Sequence, residues 1–79
     1  MEKRVHQRFR VFKGGSILSA VAPAVACVVR NISEGGACIE VPAPAGVPND
    51  FSLYIGNDGV RRGCHVAWRA DRRIGVQFV

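Results

Sequence analysis

Nine arginines in a chain of 79 residues are the first feature with chemical content. A guanidinium is planar and permanently charged. Its donors form a fork that fits phosphate oxygens and the O6/N7 edge of guanine. Two lysines complete the basic set against six acidic residues, for a formal net charge of +5. That balance suits a nucleic acid, a nucleotide or an acidic protein as partner. Two spacings stand out. Arg4 and Arg8 make an R-x-x-x-R near the start, with Arg10 two residues on. Asn31, Ser33 and Gly36 make an N-x-S-x-x-G, directly preceded by Arg30. Asn and Ser supply short donors and acceptors, and a glycine lets another group come close to the backbone. The same three residues also suit an ordinary hairpin bend, whose Asn and Ser side chains satisfy local backbone groups. Each spacing alone is a weak signal.

Nothing in the sequence supports catalysis. His6 and His65 stand far apart, the first in a polar leader and the second on a strand pattern as a surface residue. No H-E-x-x-H, EF-hand loop or G-x-S-x-G occurs. Cys27, Cys38 and Cys64 are odd in number and include no C-x-x-C, which argues against a disulfide framework and a closed zinc site. They read as small buried hydrophobes in a reducing, cytoplasmic setting. No metal or cofactor is expected.

The elements that must position these residues are strands. Twelve Val and five Ile face two Leu and one Met, and β-branched side chains suit a pleated surface. Residues 1–8 are polar and charged and read as a flexible arm, with one domain over 9–79. Phe9 to Phe12 opens the first strand. Gly14-Gly15 is expected to mark a bulge or tight bend, with Ser16 to Ala20 extended beyond it. Strands follow over Val25–Ile32, Ala37–Val41, Phe51–Ile55 and Val60–Arg69, and a last one carries Ile74, Val76 and Phe78. Ser33–Gly36, Gly56–Gly59 and Ala70–Arg72 supply the turns. Cys64, Val66 and Trp68 are expected to share one face, and most of the six aromatic residues are expected in the core. The expected core includes Val29, Ile39, Leu53, Val66, Ile74, Val76 and Phe78. The apolar run Ile17–Val29 behind a basic start imitates a secretory leader. Gly14-Gly15 and Pro23 interrupt it, and it is too short to span a bilayer, so it reads as strands and membrane insertion is not expected. Six short strands with regular turns imply a small all-β, six-stranded antiparallel β-barrel.

Taken together and in this order, the two motifs resemble those of the PilZ domain family. Val11-Phe12-Lys13-Gly14-Gly15 resembles the family's first strand in short single-domain members. Val28-Val29-Arg30-Asn31-Ile32-Ser33-Glu34-Gly35-Gly36-Ala37 is similar to its central signature. Trp68 followed by Arg73-Ile74-Gly75-Val76-Gln77-Phe78 resembles its ending. The resemblance implies binding of the bacterial second messenger cyclic di-GMP. In that reading Arg4 and Arg8 clamp guanines and phosphates, while Asn31, Ser33 and Gly36 cradle the ligand from the barrel. Arg10 and Arg30 are secondary candidates.

The expected function is therefore a non-enzymatic cyclic di-GMP receptor that orders its arm on binding and signals to a downstream protein partner. A PilZ-like partner-binding protein without ligand is the first alternative. A basic barrel for single-stranded nucleic acid is the second, and it would want aromatic stacking platforms. No nucleic-acid partner is expected.

Overall fold

The structure, a computed structural model, describes residues 9–56 and 59–79, Val60 through its backbone alone. Six antiparallel strands are formed: β1 (Phe9–Leu18), β2 (Val25–Ile32), β3 (Gly36–Glu40), β4 (Asp50–Ile55), β5 (Val60–Ala70) and β6 (Arg73–Phe78). They close into a barrel in the order β1-β2-β3-β6-β5-β4. β1 closes it, because Gly15–Ile17 pair with Cys27–Val25 on one side while Gly15–Leu18 pair with Ile55–Ser52 on the other. Closure gives every strand a partner on both sides over part of its length, which limits the sheet edge open to another chain. A single 3-10 turn, Pro44–Gly46, bridges β3 and β4. Arg69 holds this connection, donating to the carbonyls of Pro44 and Val47 and to Asn49 Oδ1, the last two at 2.7 Å each. The β5–β6 turn places Asp71 at φ 53, a left-handed position that Asp tolerates better than most residues.

The apolar residues that alternate along each strand meet inside the barrel. Val29, Ile39, Leu53 and Ile74 have no exposed surface, and Ile17, Val41, Phe51, Ile55 and Val76 join them. Val66 and Phe78 pack against this cluster half-buried. The run that imitates a leader contributes Ile17, Cys27 and Val29 to the same interior.

Four local expectations are corrected. The irregularity in β1 lies between Arg10 and Lys13, not at Gly14-Gly15, which pair regularly with Val28 and Cys27. β1 ends at Leu18, two residues short of Ala20. A second bulge, between Val66 and Trp68, inserts Ala67 and breaks the alternation of β5. Trp68 consequently turns outward, away from the face it was expected to share with Cys64 and Val66. The aromatic residues are mostly outside as well. Phe51 alone is buried, whereas Phe9, Phe12, Tyr54 and Trp68 are exposed. Interior space in a six-stranded barrel is small, and Val, Ile and Cys fill it.

All three cysteines are free and buried. Burial pushes the Cys27 thiol up to about 11, and the Cys64 thiol to about 11 despite the opposing charge of Arg62. Ionisation is thus harder in the fold than in the unfolded chain, whose thiols titrate near 9. The stability this contributes is complete below pH 9 and is lost as pH rises towards 11. The melting temperature is expected to fall over that window, and to fall less in the Cys27→Ala/Cys64→Ala variant. An equal fall in both proteins would assign the loss to other groups.

Candidate functional site

The two bulges at the start of β1 and the end of β2 build the site. On β2, Val29 pairs with Ile39 and Asn31 with Cys38, so Arg30 is the extra residue. Val29 stays in the core, and Arg30 and Asn31 both remain half-exposed beside each other. Asn31 also pairs with Arg10 on β1. Arg73 comes in from the far side, since β6 lies next to β3. Arg10, Val11, Arg30, Asn31 and Arg73 line one open groove of about 330 Å³. Three guanidinium groups around one concavity raise the local concentration of an anion. Arg30 donates to Glu40 Oε1 at 3.0 Å. Arg10 and Arg73 enter no ion pair among the described residues.

A row of strand partners continues this face around the barrel: Arg10, Asn31, Cys38, Gly75 and Trp68. The Trp68 indole lies directly over Gly75, where an added Cβ would fall 2.1 Å from its Nε1. The only tryptophan of the chain is therefore in the same row as Asn31.

Ser33 and Gly36 form the bend between β2 and β3. The Ser33 hydroxyl accepts from the amides of Gly35 and Gly36 at 3.3 and 3.2 Å and donates to the Gly36 carbonyl at 3.3 Å. The Ser33 amide donates to that same carbonyl at 2.8 Å. Ser33 is buried, so its hydroxyl already holds the bend that presents Asn31. Gly36 meets backbone on its own account, because an added Cβ would lie 2.1 Å from the Val76 carbonyl oxygen. Ser33→Ala is expected to leave two amides without that acceptor and to cost about 1–3 kcal/mol of stability. A melt unchanged by the substitution would contradict the bend's dependence on this hydroxyl.

Of the sequence-predicted site residues, Arg10, Arg30 and Asn31 are brought together, with Ser33 and Gly36 on the adjoining bend. Arg4 and Arg8, the clamp, lie outside the described residues, as does His6. Arg73 was missed by the sequence reading. Its neighbour relation to Asn31 depends on the β3–β6 pairing, which no local pattern announces. His65 is on the surface, its Nδ1 2.8 Å from Asp50 Oδ1, away from the groove. Among the described residues, no helix is long and apolar enough to cross a membrane.

A closed β-barrel with an arginine-lined outer groove defines a small binding module. The PilZ domain model matches residues 2–79, essentially the whole chain, and the chain belongs to the PilZ domain family. This is a family of binding and adaptor domains, generally for cyclic di-GMP, rather than of catalysts. No curated protein matches the chain.

Proposed function

We propose that this protein is a cytoplasmic cyclic di-GMP receptor that acts as an adaptor towards a protein partner. The observation that carries the reading is the groove in which Arg10, Arg30 and Arg73 surround Asn31, in a chain of a family that generally binds this nucleotide. Cyclic di-GMP is a dianion with two guanines, and guanidinium forks match both its phosphates and its guanine edges. Arg4 and Arg8 supply the clamp from an arm of residues 1–8, and the barrel of 9–79 supplies the platform. Asn31 contacts the ligand from β2. Ser33 and Gly36 cradle it by holding the bend, each through the backbone contacts described above. The ligand's charge offsets the mutual repulsion of Arg4, Arg8 and Arg10, so the arm closes over it and presents a new surface.

Calorimetric titration with cyclic di-GMP, cyclic di-AMP, GTP and a short single-stranded oligonucleotide tests the reading. Saturable binding of cyclic di-GMP alone is expected, with a change in Trp68 emission. Preference for the oligonucleotide would replace the reading with the single-stranded nucleic-acid one, for which the exposed Phe9, Phe12, Tyr54 and Trp68 offer stacking surfaces. No binding of any of the four would leave a partner-binding protein without ligand. Amide hydrogen exchange should gain protection at residues 4–10 and 31–36 on loading, with little change from Leu53 onward. An arm equally protected in both states would remove the arm closure while leaving binding intact.

A further inference from the structure

Arg30 belongs to two grooves at once. It lines the cationic groove with Arg10, Asn31 and Arg73. It also lines a second groove of about 340 Å³ on the outer face of β1, β2 and β3, together with Phe12, Val28, Glu40 and Pro42. In the second groove its Nη1 donates to Glu40 Oε1 at 3.0 Å, and its Cζ stands 5.5 Å from the centre of the Phe12 ring. Phe12 is three-quarters exposed with Arg30 in place, at 76%. The Arg30–Glu40 pair is itself open to water, with side-chain exposures of 38% and 35%. Such a pair is held weakly. A phosphodiester of the ligand carries a single negative charge, as Glu40 does, but it can meet the guanidinium fork through two oxygens where Glu40 engages Nη1 alone, and it would have two further arginines beside it.

We infer that Glu40 is an affinity-setting residue that competes with ligand phosphate for Arg30, and that loading the cationic groove draws Arg30 off the Glu40–Phe12 seat in the neighbouring apolar groove. The inference rests on the receptor reading above. Glu40 touches no ligand in this account and acts through Arg30. The unloaded protein spends part of its binding free energy breaking the Arg30–Glu40 contact. The loaded protein differs from it in a Phe12 ring without its guanidinium contact and a Glu40 carboxylate without its Arg30 partner, both outside the ligand's own groove. Occupancy is thereby reported on a face that the ligand does not cover.

A double-substitution cycle tests this, with cyclic di-GMP titrated into the parent, Glu40→Gln, Arg30→Ala and the double variant. Glu40→Gln is expected to bind about two- to fivefold more tightly, the worth of a part-exposed ion pair. In the Arg30→Ala background the same substitution is expected to change nothing. Glu40→Asp keeps the charge but withdraws the carboxylate, and should fall between Gln and the parent. At saturation, the Glu40 side-chain carboxyl carbon and the Phe12 ring protons should shift in NMR spectra of the parent. An equal gain with and without Arg30 would mean a general charge effect and would overturn the competition. So would unchanged affinity in Glu40→Gln, or Glu40 and Phe12 signals that stay still at saturation. In each of those cases the receptor reading stands. Absence of binding in all four proteins, with their melts intact, would instead remove the receptor reading and this inference with it.

Discussion

Gly36→Ala is expected to be among the most damaging single substitutions in the barrel, lowering stability by about 3 kcal/mol, the upper end of the usual cost of overpacking. The added methyl would sit 2.1 Å from the Val76 carbonyl oxygen and 3.2 Å from its carbon. A side chain in that place could rotate away, but this obstacle is backbone. It is fixed by the pairing of Ala37 with Val76 and of Gly36 with Gln77. The Phe78 amide, which donates to the Gly35 carbonyl at 2.9 Å, ties the bend to the same strand. Relief therefore requires β3 and β6 to part, and that pairing closes one side of the barrel. For a domain of this size the loss corresponds to a fall of roughly 12–24 °C in melting temperature. Gly14→Ala is the control, since an added Cβ at Gly14 meets nothing within 4 Å. Equal melts for the two variants would show that β6 can yield at Val76.

That result would alter how the N-x-S-x-x-G spacing is understood. Two of its three named residues, Ser33 and Gly36, are occupied by the fold itself. One holds the bend through its hydroxyl and the other lets two strands touch. Asn31 is the member that faces the groove. Substitutions at Ser33 or Gly36 that abolish binding would therefore need a melt beside them before they could be read as lost ligand contacts.

The strands were legible because each carries its own alternation and its own turn. Val25–Ile32 begins and ends where Pro23 and Ser33 require, and Ile74, Val76 and Phe78 keep one face throughout β6. The failures occur where register depends on a partner strand. The extra residues on β1 between Arg10 and Lys13, Arg30 on β2 and Ala67 on β5 leave no mark in composition. The β2 bulge keeps Asn31 outside beside Arg30, where strict alternation from Val29 would turn it inward, and the β5 bulge does the same for Trp68. A reader of the sequence sees a hydrophobic Phe12 and Trp68 and assigns them to the core. The β5 bulge turns Trp68 outward, whereas Phe12 stands outside by ordinary alternation with Val11 and Ile17, which pack inside. The candidate site was legible as a pair of motifs, but Arg73 joined its groove, and Glu40 came beside Arg30, only through the β3–β6 and β2–β3 pairings.

The largest functional effect is expected from the Arg10→Ala/Arg73→Ala variant, which should lose cyclic di-GMP affinity by about 3 kcal/mol, on the order of 100-fold. Each guanidinium would make a charge-assisted contact worth about 1.5–3 kcal/mol to a charged ligand. The two stand on opposite sides of Asn31 in one groove, so a single dianion can engage both. Stability should move little. Both residues are exposed and neither enters an ion pair among the described residues, so truncation leaves no buried charge behind. Removing them also lessens repulsion with Arg30. The comparison with Arg8→Ala then orders the contributions. On the proposed clamp role, Arg8→Ala should cost about 2 kcal/mol or more of binding on its own. If Arg8→Ala bound normally while Arg10→Ala did not, the clamp would be displaced by two residues towards the barrel. A double variant that retained parental affinity at low and at physiological salt would take the cationic groove out of the site altogether. Weak screening at low salt should make the parental affinity highest there, and the double variant should lose most of that salt dependence.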